Sequence, residues 1–554
     1  MAEASLPLLH RAFDALEDRY DLLVIGGGIY GAWTAYDAAL RGLRVALIEA
    51  SDWGAGTSSA SSKLIHGGLR YLEYGHIGLV RTALAERSRL LRLGPHRVHM
   101  LRFLLPVWQD SRTRPWKFSL GLTLYDLLAG LGTSDRHRRM GAALLRQDCP
   151  FLEAAGLRAG FSYDDAGEDD ARYCLEIVAG AVRAGATAIN HCRMLRLLGA
   201  ARAEGAVLRD EITGDECTVT AASTVLATGP WLRDIARATD LSMPVRLTKG
   251  VHLVMPPLPT ALREHALLLT ARADQRVYFL IPWYGATLLG TTDTDWQGDP
   301  AQVSVEPADV EYLLREVASR CPGLGWRRAD IRGAFAGLRT LQEEPGKAAS
   351  AVSREWTLSE PRPGLLVPIG GKLTAARADA AVIVDRVCAA LGRHGHGTTA
   401  TRPLPWAPRL ASWLADGVAA GTALGLDREL ATTMVRRYGS TLPAVHALLA
   451  QDPGLRGRIH PQVPMALGET LHAVRCEMAV TLQDVLRRRV PAGILAVLEL
   501  PQVRVVTALI GPFLRWDEAR CAREAETWWQ GQHELLSHLG ASGAPATAAT
   551  GGVV

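Results

Sequence analysis

Four short apolar runs, at residues 21–25, 44–49, 223–228 and 365–369, predict strands of one sheet separated by other material. Within the last gap, residues 247–255, 276–281 and 286–290 are rich in β-formers and bounded by Pro and Gly, which predicts antiparallel strands of a second domain. After Thr399, the prolines at 403, 405 and 408 mark a linker, and the periodicity becomes helical. There, Leu471, Val474, Met478, Leu482, Val485 and Leu486 recur at helical spacing and predict a helix over 469–490. No internal repeat is evident, and the small-residue, low-complexity stretch 541–554 predicts a disordered tail.

The first run opens into Gly26, Gly28 and Gly31, spaced G-x-G-x-x-G between strand and helix. The first glycine permits a tight turn, the second lets the backbone approach a pyrophosphate, and the third lets helix pack on strand. Free N–H groups at the helix start, around Ile29, then face the anion. The second run ends in Glu49, placed to accept hydrogen bonds from a ribose, and its charge would repel a 2′-phosphate. The chain therefore reads as binding FAD or NAD rather than NADP, and the N-terminal position favours FAD. The fold class is α/β. A discontinuous Rossmann-like nucleotide domain covers 21–92, 150–240 and 330–398, and an antiparallel-sheet substrate domain covers 93–149 and 241–329. A C-terminal helical domain covers 399–540, with an extension at 1–20 and the tail at 541–554.

At 554 residues the chain is long enough for two or three domains, and 48% hydrophobic with 21% charged residues is ordinary globular composition. A net charge of +4 gives no reason to expect nucleic acid, but suits an anionic substrate or membrane surface. Eight scattered cysteines without metal-like spacing predict reduced thiols, a cytoplasmic compartment and no metal site. Residues 1–20 hold no apolar core of signal-peptide type. Residues 118–132 are weakly charged and too few to span a bilayer. Arg112, Arg114, Trp116 and Lys117 precede them, and Arg136, Arg138 and Arg139 follow. The segment reads either as a buried helix with solvated basic ends, the simpler expectation, or as one lying in a membrane interface.

Residues 52–73 are dense in hydroxyls, glycines and cationic groups. Thr57, Ser58 and Ser62 can donate to pyrophosphate or ribityl oxygens, while Gly67 and Gly68 allow the backbone to lie against a flat ring. This string resembles the flavin-binding motif of the FAD-dependent glycerol-3-phosphate dehydrogenases, within the D-amino-acid-oxidase-like flavoprotein superfamily. Ala227-Thr228-Gly229 and residues 249–252, 290–293, 337–339, 370–374 and 475–488 extend the similarity from about residue 21 to about residue 529.

The resemblance implies oxidation of sn-glycerol 3-phosphate to dihydroxyacetone phosphate by hydride transfer to non-covalently held FAD. It also implies that electrons pass to a membrane quinone, from a cytoplasmic protein peripheral on the inner face of the cytoplasmic membrane. Thr228 and Gly229 become a second FAD contact. Gly371, Lys372, Leu373 and Thr374 should open a helix whose dipole, with Lys372, faces the pyrimidine edge of the flavin. Arg70, Tyr71, Arg339 and Arg354 are expected on the substrate, since paired guanidinium donors suit a phosphate dianion. A base titrating near neutrality points to histidine: His252 as base or polarising group, and His66, beside Gly67, as flavin or substrate contact. The oligomeric state stays open, a homodimer among the alternatives.

Two departures from the family pattern bear on the substrate. Thr340 replaces a proline and is expected to loosen a loop holding Arg339, and Ala375-Ala376 replaces Thr-Tyr, removing polar groups beside the flavin. The competing readings are an oxygen-reducing glycerophosphate oxidase, a related FAD enzyme with another substrate, and a flavin-binding protein without turnover.

Overall fold

Leu22, Leu23, Val24 and Ile25 are buried whichever face they point to, as the central strand of a sheet covered on both sides requires. The computed structural model describes residues 9–130, 136–239, 241, 243–343 and 355–541, apart from the side chains of Arg70, Glu73 and Tyr74. Within it, Arg19–Ile25 pairs in parallel with Glu216–Leu226 on one side and with Val45–Ile48 on the other. Leu365–Ile369 and Thr187–Ile189 extend this parallel core outward. All four apolar runs thus lie in one sheet, eight-stranded among the described residues.

Helix Ile29–Leu40 crosses this sheet with Ala32, Ala35, Ala38 and Ala39 turned inward. Small side chains let it lie close against helices Asp170–Arg183 and Ala376–Ala390. Trp33 fills the seam and donates its Nε1–H to Tyr173 at 3.1 Å. Asp169 caps the second of these helices by accepting the Arg172 N–H, an arrangement worth about 1 kcal/mol.

The second sheet, ten-stranded among the described residues, is almost wholly antiparallel. Val245–Met255 runs along Gly333–Gln342 for ten paired positions, and Ala286–Gly290 and Val277–Trp283 follow on its other side. The C-terminal helices pack their apolar faces on this sheet, sharing one core with Phe103, Phe161 and Phe335.

Two expectations change here. The 469–490 segment is not one helix: Leu467–Cys476 ends at Glu477, Met478 takes φ +55°, and a wide turn resumes at Asp484–Arg489. Polar contacts interrupt the apolar rhythm, because the Glu477 carboxylate meets buried Arg172 at 2.6 Å and its carbonyl accepts from Arg489. The second change is in helix Pro115–Ala129, which buries Leu122 and Tyr125 but leaves Trp116, Leu120 and Leu127 exposed. The described part of the N-terminal extension packs on the body: Leu9 is buried and bonds the Cys476 carbonyl, and Arg11 forks onto Asp210. The stretches 1–8 and 542–554 lie outside the described residues. All eight cysteines are free thiols.

Burial alone would raise the Glu477 carboxyl, but Arg172 and then His472 outweigh it and hold it at about 2. An unfolded glutamate titrates near pH ~4.3, so over the interval down to pH 2 the unfolded chain binds the extra proton and stability is lost. Glu477→Gln is expected to unfold with about 3–5 kcal/mol less stability at neutral pH, and to lose less than the wild type between pH 4.5 and 2. Denaturant titration across that pH range checks both.

Candidate active site

The turn after the first strand is shaped by a close approach that only glycine permits. Gly26 has φ +108°, and a Cβ there would stand 2.4 Å from the Ala227 carbonyl oxygen. Two strand ends therefore converge, Gly26 on one and Ala227-Thr228-Gly229 on the other, at the mouth of a cavity of about 430 Å³. Gly31 packs helix on turn, since a Cβ would collide with the Gly26 carbonyl. Glu49 caps the second strand and accepts the Gly27 N–H at 2.7 Å and the Ser51 N–H at 2.8 Å.

Around this cavity gather Gly26, Gly28, Ile29, Glu49, Thr57, Ser58, Ser62 and Gly68. Thr228, Gly229, Gly371, Lys372, Leu373 and Thr374 line it too, as do His66, Tyr71, His252 and Arg339. Ser58 Oγ accepts the Ile29 N–H at 2.9 Å, which ties the hydroxyl-rich loop to the helix start. The Lys372 ammonium lies 3.6 Å from the centre of the Tyr71 ring, and the turn Leu373–Ala375 leads into helix Ala376–Ala390. The backbone N–H of His66 donates to Thr374 Oγ1 at 3.3 Å, closing the far wall.

Several sequence expectations are corrected. Gly67 does not line the cavity: its N–H donates to the Tyr125 hydroxyl and Asp165, and a Cβ would strike Leu84, so it serves packing. Arg339 stands in the strand Gly333–Gln342, opposite Thr248, rather than in a loop, and the neighbouring Thr340 is paired with Leu247. That pairing leaves no loop for Thr340 to loosen. Ala375 and Ala376 are buried in packing and do not line the cavity. Arg354 lies outside the described residues, and of Arg70 only the backbone, in the turn Leu69–Tyr74, is described.

His252 departs from the expectation of a near-neutral base. It is buried, stacked on Phe335 with ring centres 5.0 Å apart, and shares a hydrogen bond at 3.0 Å between Nε2 and Ser62 Oγ. Burial first, then the charges of Arg339 and Lys63, push its imidazole down to about 3. The ring is therefore neutral, a proton acceptor rather than a cation.

Other residues escaped the sequence reading. Asp293 meets Arg339 Nη1 at 3.1 Å, and its carbonyl accepts from Arg276, so two guanidiniums converge at the cavity wall. Lys63 is buried against Asp170 at 2.5 Å and adds positive potential beside His252. Tyr30, inside the glycine motif, donates its hydroxyl to Asp379 at 2.5 Å. Burial, with Glu86 nearby, raises that carboxyl to about 7. Only the spacing of Tyr30 within the motif could have pointed to it.

The cavity thus joins a glycine turn at a helix start, the Glu49 carboxylate at the end of the neighbouring strand, and a cationic wall. A family model described as FAD dependent oxidoreductase matches residues 21–402. Another, described as the C-terminal domain of alpha-glycerophosphate oxidase, matches residues 398–521. A glycerol-3-phosphate dehydrogenase from Synechocystis sp. is 36% identical over 497 residues, covering 85% of this chain and 88% of that protein. The chain belongs to the FAD-dependent glycerol-3-phosphate dehydrogenase family. An aerobic glycerol-3-phosphate dehydrogenase from Bacillus subtilis is 35% identical over 492 residues, covering 86% of this chain and 88% of its own. The glycerol-3-phosphate dehydrogenase structure from Bacillus halodurans, complexed with FAD, superposes with TM-score 0.75 at 28% identity, over 94% of this chain and 95% of that one.

FAD is the family's cofactor, and the glycine cradle fits its pyrophosphate: the turn at Gly26 closes on Ala227 only without a Cβ, and Gly28 lines the cavity at the helix start with no side chain. Gly26→Ala is expected to yield protein without flavin, read as loss of the 450 nm absorbance relative to protein absorbance at purification.

Proposed function

We propose that this chain oxidises sn-glycerol 3-phosphate to dihydroxyacetone phosphate with FAD and passes the electrons to a membrane quinone. The observation that carries the reading is the convergence of Arg339 and neutral His252 on one cavity wall, with Lys372 on the same cavity. The bound flavin supplies the acceptor for a hydride from the substrate's C2. Arg339, already fixed by Asp293 and by Thr291 Oγ1 at 2.8 Å, presents its fork to the phosphate dianion, with Arg276 beside it. His252 receives the hydroxyl proton. A dianion near Arg339 offsets the charge that depresses the imidazole, so substrate binding strengthens the base that deprotonates it. Lys372 and the helix start at its side favour negative charge accumulating on the reduced cofactor.

With sn-glycerol 3-phosphate added anaerobically, the oxidised flavin bands are expected to bleach. In Arg339→Ala the concentration giving half-bleaching should rise about a hundredfold, the loss of two charge-assisted hydrogen bonds. An unchanged spectrum in the wild type would break the substrate assignment. The C-terminal match to a glycerophosphate oxidase domain supports oxygen as the alternative acceptor. Stoichiometric peroxide in air, with no turnover on a soluble quinone, would favour it.

Membrane delivery of the electrons is supported by helix Pro115–Ala129, whose exposed Trp116, Leu120 and Leu127 share the helix with Lys117, and whose Asp126 bonds His137 just before Arg138 and Arg139. Among the described residues no helix is long and apolar enough to cross a membrane, so attachment would be to one surface. The protein is expected to pellet with phosphatidylglycerol vesicles at low salt, and Trp116→Ser with Leu120→Ser to stay in the supernatant. Wild-type protein that stays soluble under those conditions would exclude this docking.

A further inference from the structure

Two successive glycines, Gly370 at φ +80° and Gly371 at φ +94°, lead into Lys372. Glycine visits positive φ about as readily as negative, so such a turn is not held by its own backbone preferences. A group outside the turn has to fix where Lys372 leaves it, and the contacts lead to Tyr30.

Tyr30 is the second residue of helix Ile29–Leu40, at the helix start that follows the first glycine turn. Its side chain reaches the second turn along the cavity, and a Cβ on Gly371 would stand 1.7 Å from its hydroxyl oxygen. That oxygen accepts a hydrogen bond from the Lys372 backbone N–H. The hydroxyl in turn donates to Asp379 Oδ2 at 2.5 Å. Amide, hydroxyl and carboxyl thus form one chain in which each hydrogen bond polarises the next.

Asp379 lies in the first turn of helix Ala376–Ala390, the helix that Lys372 leads into. It is buried, and among the described residues the Tyr30 hydroxyl is its hydrogen-bond partner and no cation pairs with it. Its neighbour Arg377 is committed to Glu86 at 2.6 Å and to Thr399 at 3.2 Å. Burial favours the neutral carboxyl, and the Tyr30 hydroxyl is the largest influence against that. Asp379 is therefore engaged in orienting the hydroxyl rather than in balancing a charge.

We propose that Tyr30 is a positioning residue for Lys372: its hydroxyl, oriented by Asp379, holds the Gly370–Lys372 turn so that the ammonium is presented to the cofactor cavity. The proposal rests on the reading of Lys372 as the group that favours negative charge on the reduced cofactor, and not on the identity of the substrate.

The test is an anaerobic, dye-equilibrated reduction of the holoenzyme at one fixed pH, without substrate. At a given potential, Lys372→Met is expected to lower the ratio of reduced to oxidised flavin about a hundredfold, about 60 mV for a two-electron couple. Tyr30→Phe should lower it about tenfold, about 30 mV, and the double variant should match Lys372→Met alone to within about threefold. Additive losses, or no loss in Tyr30→Phe, overturn the proposal and leave the role of Lys372 standing. No loss in Lys372→Met removes that role and the proposal with it. If Tyr30→Phe or Lys372→Met is isolated without flavin, Asp379→Asn and Asp379→Leu decide, because both lack the carboxylate charge and only the Asn amide oxygen can accept the hydroxyl. Asp379→Leu should then lie about tenfold below Asp379→Asn, and equal values overturn the proposal.

Discussion

A carboxylate shut away from water has to find cations, and the partners that Asp52 finds fix how the C-terminal helices sit. Asp52 follows Glu49 in the loop that lines the cavity, and it is bonded by Arg488 at 2.6 Å and by Arg489 at 2.7 and 2.8 Å. Burial alone would raise its carboxyl, yet Arg489 and Arg488 outweigh burial and hold it ionised. The Arg172–Glu477 pair joins a sheet-covering helix to the same C-terminal segment. Removing one partner from such a pair strands the other charge, so the seam tolerates little slippage. The cofactor loop and the helices opposite it are thereby held in one register.

Cations set the chemistry of the neighbouring cavity as well. Burial first, then Arg339 and Lys63, keep His252 neutral, and Lys372 lines the same cavity. The same positive potential favours an anionic substrate, a proton-accepting imidazole and an electron-rich flavin. Lys63 does this from the middle of the hydroxyl-rich loop, where the buried carboxylate of Asp170 keeps it in place.

The parallel sheet was readable in the sequence because its strands are buried on both faces, so their apolar runs are unbroken. The turn at Gly26 was readable for a similar reason: a close backbone approach excludes every side chain. The 469–490 stretch misled because apolar spacing continues through a break at Glu477, which is held by distant Arg172 and by Arg489 twelve positions on. Arg339 looked like a loop residue because glycine and arginine carry weak strand signals, while its pairing partners lie some ninety positions earlier on Val245–Met255. Gly67 carried the same letter as its neighbour Gly68 but faces Leu84 instead of the cavity. Arg276 and Asp379 have no local signature at all, and only the fold brings them to their partners.

The cavity walls come from widely separated stretches: 26–31, 57–68, 227–229, 252, 339 and 370–374. Its supporting seam needs residues 477–489. A chain still being synthesised holds the glycine turn from the start but lacks the opposite wall until two-thirds of it has been made, and lacks the seam until near the end. FAD therefore has nothing complete to bind during most of translation, and its insertion belongs to the last stage of maturation.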